Sequence, residues 1–103
     1  MSETFARWDA AEELVHHPED AAMYLEACID EDPGDGSVIR AALNDIARAQ
    51  SMSGLARDAG LNRGNIYKAL SENGNPSFTT VLRIMRALKL RLRVESAQAA
   101  EEE

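Results

Sequence analysis

The side chains best suited to recognition chemistry in this 103-residue sequence lie between residues 62 and 71, a segment without acidic residues. In the DNA major groove, arginine and lysine hydrogen-bond to guanine, and asparagine hydrogen-bonds to adenine. A glycine lets the backbone approach a duplex closely. A tyrosine can reach a phosphate or a thymine methyl group, or it can simply cover the core. The base-contact candidates are therefore Arg63, Gly64, Asn65, Tyr67 and Lys68.

Polar side chains at helix ends form a second group of candidates. Side chains and backbone N–H groups at a helix N-terminus can meet a phosphate. The phosphate-contact candidates are Ser53, Asn62 and Ser71. Serine and asparagine are also ordinary N-caps, and we interpret Ser53 and Asn62 as the caps of helices over 54–59 and 63–72. The two roles are compatible, because a cap holds the helix end that faces the phosphate.

The spacing of apolar and small residues over Met52–Ser71 predicts a helix-turn-helix unit. Such a unit needs a small residue where its two helices cross, a glycine in its turn, and apolar residues that fix both helices to their neighbours. Seven positions meet these requirements: Leu55, Ala56, Ala59, Gly60, Leu61, Ile66 and Ala69. The rival interpretation is a plain helical hairpin, which also favours glycine in its turn.

The remaining elements before residue 90 are predicted to be helices. A helix starting near Pro18 has an apolar stripe at helical spacing, and the acidic, Pro- and Gly-containing run 30–36 ends it. Ser37 is expected to cap the next helix and Ser77 the last one. The apolar stripe of the helix that starts near Pro18 comprises Ala22, Leu25, Cys28 and Ile29. Cys28, the only cysteine, is interpreted as a small core residue.

The segment 90–95 alternates apolar and charged residues, which predicts one short C-terminal β-strand with its apolar side formed by Leu90, Leu92 and Val94. A lone strand leaves unpaired backbone groups along its edge. Pairing with the same strand of a second copy would satisfy them. We therefore expect a homodimer that forms through this strand.

Charge is distributed very unevenly along the chain, whose net charge is −7. Residues 1–37 contain eleven acidic residues and one basic residue, whereas residues 38–95 contain four acidic and ten basic residues. The basic part suits a polyanion such as DNA, and the acidic part suits a basic protein surface or is a solvated arm. We expect an N-terminal arm or short helix over 1–17, a helix-turn-helix domain over 18–95, and a flexible acidic tail over 96–103.

Enzymatic, metal-binding and membrane functions have little support in the sequence. His16 and His17 are adjacent and do not share a helix face, and no His, Cys and carboxylate spacing suits a metal. There is no Gly-rich phosphate loop and no nucleophile with a base. We expect no catalytic residue, cofactor or small-molecule ligand. Without a signal peptide or an apolar span, the protein is expected to be cytoplasmic.

Several stretches together resemble a known family, the addiction-module antidote proteins. The stretches are 43–49, 52–57, 60–63, 67–71 and 74–78, which read LNDIARA, MSGLAR, GLNR, YKALS and GNPSF. The family comprises HigA-like antitoxins with a Cro/C1-type helix-turn-helix. The likeness covers roughly residues 18–95, and residues 1–17 match least.

This resemblance implies a five-helix Cro/C1-like core, a homodimer, and repression of its own operon through an operator. It also implies neutralisation of a RelE/HigB-type toxin that cleaves messenger RNA. The acidic segment 9–35 could occupy the basic surface of such a toxin by imitating a polyanion. Two rival functions share parts of this pattern: a stand-alone prophage-type repressor without a toxin partner, and a pure protein-interaction module.

Overall fold

A computed structural model describes residues 18–97, and these residues contain five α-helices. The helices are α1 (Pro18–Glu31), α2 (Ser37–Ala49), α3 (Met52–Ala59), α4 (Arg63–Leu70) and α5 (Phe78–Ala87). The arm expected over 1–17 and all but the start of the acidic tail, residues 98–103, lie outside the described residues. Among residues 18–97, no helix has the length and apolar character needed to cross a bilayer.

The core is built from aliphatic side chains, because each helix has one apolar stripe and the stripes face one another. Six large side chains are less than 2% exposed: Leu43, Ile46, Ile66, Leu70, Ile84 and Leu88. Burying one such side chain stabilises the fold by roughly 1.5–3 kcal/mol relative to leaving it in water. The short helices α3 and α4 therefore depend on the core that α2 and α5 help to form.

Helix α1 is part of this core, with Ala21, Leu25 and Cys28 buried. The interpretation of Cys28 as a core residue is confirmed. The predicted stripe was wrong at two positions, since Ala22 and Ile29 are exposed. The inward face runs through 21, 25 and 28, at helical spacings of four and three, and that phase rotates 22 and 29 towards solvent.

A partly buried hydrogen bond also joins α1 to α2, the helix against which it packs. The Tyr24 hydroxyl donates to Asp45 Oδ2 at 2.7 Å, and Asp45 is 8% exposed. A buried polar group needs such a partner, because losing water without replacement costs free energy. The Tyr24–Asp45 bond therefore fixes α1 on α2 at one position.

The link between α1 and α2 is organised by one carboxylate. Asp32 Oδ2 accepts from the N–H groups of Gly34 and Gly36, and Oδ1 accepts from those of Val38 and Ile39. The expected Ser37 cap was wrong, because Gly36 (φ 82°) is the N-cap residue and no cap side chain bonds there. Asp32, four residues before Gly36, therefore caps the N-terminal end of α2 in place of a side chain at the N-cap position.

Two other helix boundaries differ from the sequence-based expectation. Ser51, not Ser53, caps α3 and accepts a hydrogen bond from the N–H of Gly54. The helix therefore begins at Met52, whose buried side chain fixes the first turn. Helix α4 ends at Leu70 rather than at 72. The expected caps at Asn62 and Ser77 are confirmed, since each accepts from the N–H three residues later.

The predicted C-terminal strand is absent from the described residues. Within 18–97 no strand is assigned, and residues 90–96 have no regular secondary structure. A strand is defined by its ladder hydrogen bonds to a neighbour, and one chain supplies only one such segment. Lys89 takes a left-handed turn (φ 65°) and the N–H of Leu90 bonds to the Met85 carbonyl. Leu90 then packs against the core, while Leu92 is 51% and Val94 is 93% exposed.

The Asp32 carboxylate predicts acid sensitivity of the fold. Desolvation acts to raise its pKa, but the hydrogen bonds from Gly36, Gly34, Ile39 and Val38 outweigh it and hold the pKa below its ordinary value. A pKa lower in the folded state means stability that is present above the unfolded-state pKa and lost as pH falls. We expect the Tm of the wild type to fall as the pH is lowered below about pH 5, and the fall to be smaller for Asp32→Asn.

This difference is measured by thermal unfolding followed by circular dichroism at a series of pH values. Asp30→Asn removes the same charge from the exposed face of α1 and is the matched control. Identical pH profiles for Asp32→Asn and the wild type would contradict the assignment of the acid sensitivity to Asp32.

Candidate nucleic-acid interface

Helices α3 and α4 are joined by Gly60, Leu61 and Asn62. Gly60 has φ 69°, a left-handed conformation that favours glycine. The N–H of Leu61 reaches back to the Ala56 carbonyl at 2.8 Å, which closes the end of α3 in a Schellman-type turn. Asn62 then starts α4 directly, because its side chain accepts from the N–H of Asn65 at 3.2 Å. The turn and the Asn62 cap therefore set the direction in which α4 leaves α3.

The inward side of this pair of helices is the one that the spacing predicts. Ala56 and Ala59 are buried where α3 packs on its neighbours, and Ile66 is fully buried on α4. Leu70 is also buried, and Ala69 is half-buried. One face of α4 is therefore fixed to the core, and the opposite face is available.

The outward side of α4 contains every base-contact candidate. The exposed residues of α4 and its two flanking positions are Asn62, Arg63, Gly64, Asn65, Tyr67, Lys68 and Ser71. This face has two cations and no acidic residue. Its positive and amide groups can donate hydrogen bonds to base edges and phosphates, which are rich in acceptors.

Arg63 is oriented by two neighbours, one on each helix. Its Nη1 lies 3.4 Å from the Ser53 hydroxyl of α3, and its guanidinium carbon lies 5.6 Å from the centre of the Tyr67 ring. An exposed contact of an arginine with an aromatic ring contributes about 0.5–1 kcal/mol. The structure thus brings together Ser53, Arg63 and Tyr67, which the sequence placed in two separate candidate groups. Tyr67 is 45% exposed, so part of its ring is accessible beside Arg63.

A glycine at position 64 has a local structural explanation in addition to the proposed close approach to DNA. A Cβ atom at this position would lie 3.0 Å from Asn62 Oδ1, the atom that caps α4. Such a distance is tighter than ordinary van der Waals contact, so the Asn62 amide would have to move. Gly64 therefore keeps the cap of α4 in place, and it adds no side chain to the exposed face.

Ser71 is committed to the C-terminal end of α4. Its hydroxyl donates to the Lys68 carbonyl at 2.8 Å. A phosphate has only acceptor oxygens, so Ser71 would have to give up this bond in order to donate to one. Of the three phosphate-contact candidates, Ser71 is thus the one whose side-chain donor is already used in a hydrogen bond within the protein.

A groove with both polar and apolar lining lies beside the exposed face of α4, between the end of that helix and the start of α5. It measures about 440 Å³, and its polar lining comprises Asn65, Lys68, Ser71, Asn73, Asn75 and Thr80. The absence of a side chain at Gly74 lets the backbone there pass close to α4, because a Cβ atom would lie 2.1 Å from the Ala69 carbonyl oxygen. Asn73 and Asn75 were not among the candidates predicted from the sequence, and the structure adds them to the lining of this groove.

The acidic part of the described chain is a separate surface on α1 and the link that follows it. Residues 18–36 contain seven acidic residues and no lysine or arginine. Glu19, Glu26 and Asp30 are exposed on α1, next to Met23, which is 68% exposed. Among residues 18–97, no group of three or more His, Cys, Asp and Glu residues could hold a metal ion.

Together, these features define a small helical protein with an acid-free helix face and a separate acidic helix. A family model described as "Probable addiction module antidote protein" matches residues 4–96. The chain therefore belongs to this family of antidote proteins. The match begins at residue 4, so it extends further towards the N-terminus than the resemblance over 18–95 had indicated.

A second comparison agrees with the extent of this match. An uncharacterized protein of Haemophilus influenzae is 44% identical over 100 residues, which cover 97% of this chain and 100% of the relative. No solved structure matches the chain.

Proposed function

We propose that this chain is the antitoxin of a type II toxin–antitoxin system, with a Cro/C1-type helix-turn-helix that represses its own operon. The observation that carries the DNA-binding part is the acid-free exposed face of α4, held by the Gly60 turn and the Asn62 cap. In a helix-turn-helix protein the N-terminal part of the second helix contacts the bases. Membership of the antidote family favours an antitoxin over a stand-alone repressor.

The proposed roles follow from position on α4. Arg63, Asn65 and Lys68 contact base edges, with Arg63 and Asn65 nearest the helix start. Tyr67 supports the Arg63 guanidinium through their ring contact. Asn62 and Ser53 lie at the N-terminal ends of α4 and α3, where backbone N–H groups are available to a phosphate. Operator DNA is thus bound with the start of α4 in the major groove.

Arg63→Ala is expected to weaken binding to the operator by about 1–3 kcal/mol and to relax the preference at one base pair. The reason is that a bidentate arginine–guanine contact distinguishes guanine from the other bases. Fluorescence anisotropy with duplexes from upstream of the coding region, each changed at one base pair, measures both effects. The same titration at two salt concentrations counts phosphate contacts.

Arg83→Ala, which removes the same charge from the exposed side of α5, is the matched control and should leave base preference unchanged. An equal loss for Arg63→Ala on all duplexes would make Arg63 a phosphate contact instead. Wild-type binding with no preference for the upstream duplex would reject operator recognition itself.

The second half of the proposal is a RelE/HigB-type toxin as the protein partner. Such an enzyme cleaves messenger RNA and therefore presents a basic surface to its substrate. The exposed acids of α1, together with Met23, offer this surface negative charge and an apolar contact. Complementary charge accelerates association and suppresses wrong partners. The proposal is that the acidic segment covers the RNA-binding surface of the toxin.

Reversing charge on the exposed face of α1 is expected to weaken toxin binding. Glu26→Lys combined with Asp30→Lys changes two residues one turn apart, without touching the buried Ala21, Leu25 and Cys28. We expect a lower association rate and a weaker dependence of that rate on salt. Surface plasmon resonance against the toxin encoded beside this gene measures both.

Deletion of the acidic segment would not test charge alone, because it would also remove α1, which contributes to the core. Asp58→Lys, at an exposed position of α3, is the control for a single charge reversal and is compared with Glu26→Lys. Unchanged association of the double variant would move the toxin contact away from α1.

We also propose a homodimer that forms through residues 90–95. Leu92 and Val94 are exposed beyond the point where Leu90 packs on the core. Exposed apolar side chains next to a segment without backbone pairing favour association with another such segment. Two copies would supply the ladder hydrogen bonds that a single chain lacks.

Val94→Lys is expected to shift the protein from dimer to monomer, because it places a charge on the apolar side of this contact. Sedimentation velocity over a range of protein concentrations measures the shift. Met23→Lys, which introduces the same charge at an exposed apolar residue of α1, is the control and should remain dimeric. A dimer that is equally stable with Val94→Lys would place the contact elsewhere on the surface.

A further inference from the structure

Arg40 makes a long-range contact with the C-terminal end of α4. Its Nη1 donates to the Ser71 carbonyl at 2.6 Å and lies 3.4 Å from the Leu70 carbonyl. The sequence separation is about 30 residues, and the contact joins the first turn of α2 to the last turn of α4. A charged donor on a carbonyl is about twice as strong as a neutral hydrogen bond. Arg40 is half-buried, and its contact with the Leu70 carbonyl is partly buried, whereas its contact with the Ser71 carbonyl is exposed.

The position of Arg40 on its own helix is unfavourable, which makes the contact informative. A cation in the first turn of α2 faces the positive end of that helix dipole. At the end of α4, by contrast, the last carbonyls have no partners within the helix and form the negative end of a dipole. The negative end of the α4 dipole therefore stabilises the guanidinium, whereas the positive end of the α2 dipole does not.

Two further contacts hold the same end of α4. The Ser71 hydroxyl closes on the Lys68 carbonyl, and the N–H of Gly74 donates to the Ser71 carbonyl at 2.8 Å. The Ser71 carbonyl thus accepts from both Arg40 and Gly74. The start of α4 is held by Asn62 and its end by Arg40, so both ends of an eight-residue helix are tied down.

We propose that Arg40 is a positioning residue for DNA recognition, which sets the orientation of α4 without touching DNA. This inference rests on the proposed operator binding. Lys68 lies in the last turn of α4, nearest this anchor, and a small rotation of the helix end would displace it from base edges. Misplacing a recognition group by about 1 Å can be as costly as removing it.

The experiment compares full-length wild type, Arg40→Met and Arg40→Lys in fluorescence anisotropy titrations at several salt concentrations. The probes are a duplex from upstream of the coding region and a mixed-sequence duplex of equal length. We expect Arg40→Met to lose about tenfold in affinity for the upstream duplex, since a charged hydrogen bond is lost from the helix end. Binding to the mixed-sequence duplex and the slope of affinity against salt should stay unchanged.

Arg40→Lys should recover part of the affinity, because it keeps the cation at the carbonyls. Arg86→Met, on the exposed side of α5, is the charge-matched control. Circular dichroism and thermal unfolding confirm that each variant is folded at the titration temperature. A salt slope reduced by about one would make Arg40 a phosphate contact and overturn the inference.

Full affinity of folded Arg40→Met for the upstream duplex would also overturn it, leaving Arg40 with a role in stability alone. These outcomes differ from failure of the proposed function. If the wild type does not distinguish the upstream duplex from the mixed-sequence duplex, operator recognition fails, and the positioning role fails with it.

Discussion

The exposed face of α4 depends on the burial of Ile66 and Leu70 on its other side. An isolated helix of eight residues is unstable in water, because nucleation is costly and too few hydrogen bonds follow it. Tertiary packing therefore has to supply the stability of α4, and only one side of the helix can be used for it. The contacts of Asn62 and Arg40 with its two ends then set the orientation of this short helix.

The same core supports two surfaces of opposite charge. The acid-free side of α4 and the acidic side of α1 both rest on α2, which contributes Leu43 and Ile46 to the interior. The Tyr24–Asp45 hydrogen bond fixes α1 on that helix. A net charge of −7 is therefore a poor guide to binding, since it averages two regions that face different surroundings.

Several local features were predictable from the sequence, although the caps at Ser37 and Ser53 were not, and features that depend on distant partners were missed. Gly60, Asn62 and Ser77 act on the next few residues, so their spacing was enough to place them. Asp32 caps a helix from outside the usual cap position, and Arg40 caps one about 30 residues away. No local pattern marks either. The strand expected over 90–95 failed for a related reason, because strand assignment requires a pairing partner that one chain does not contain.

The contribution of α1 to the core has a consequence for genetics. Because Ala21, Leu25 and Cys28 are buried among residues that also support α4, alleles that damage these positions should lose every activity of the protein at once. Alleles that separate one activity from another should map to exposed positions and act one residue at a time. The distribution of such alleles along the chain would follow the helical periodicity of exposure rather than a boundary between two segments.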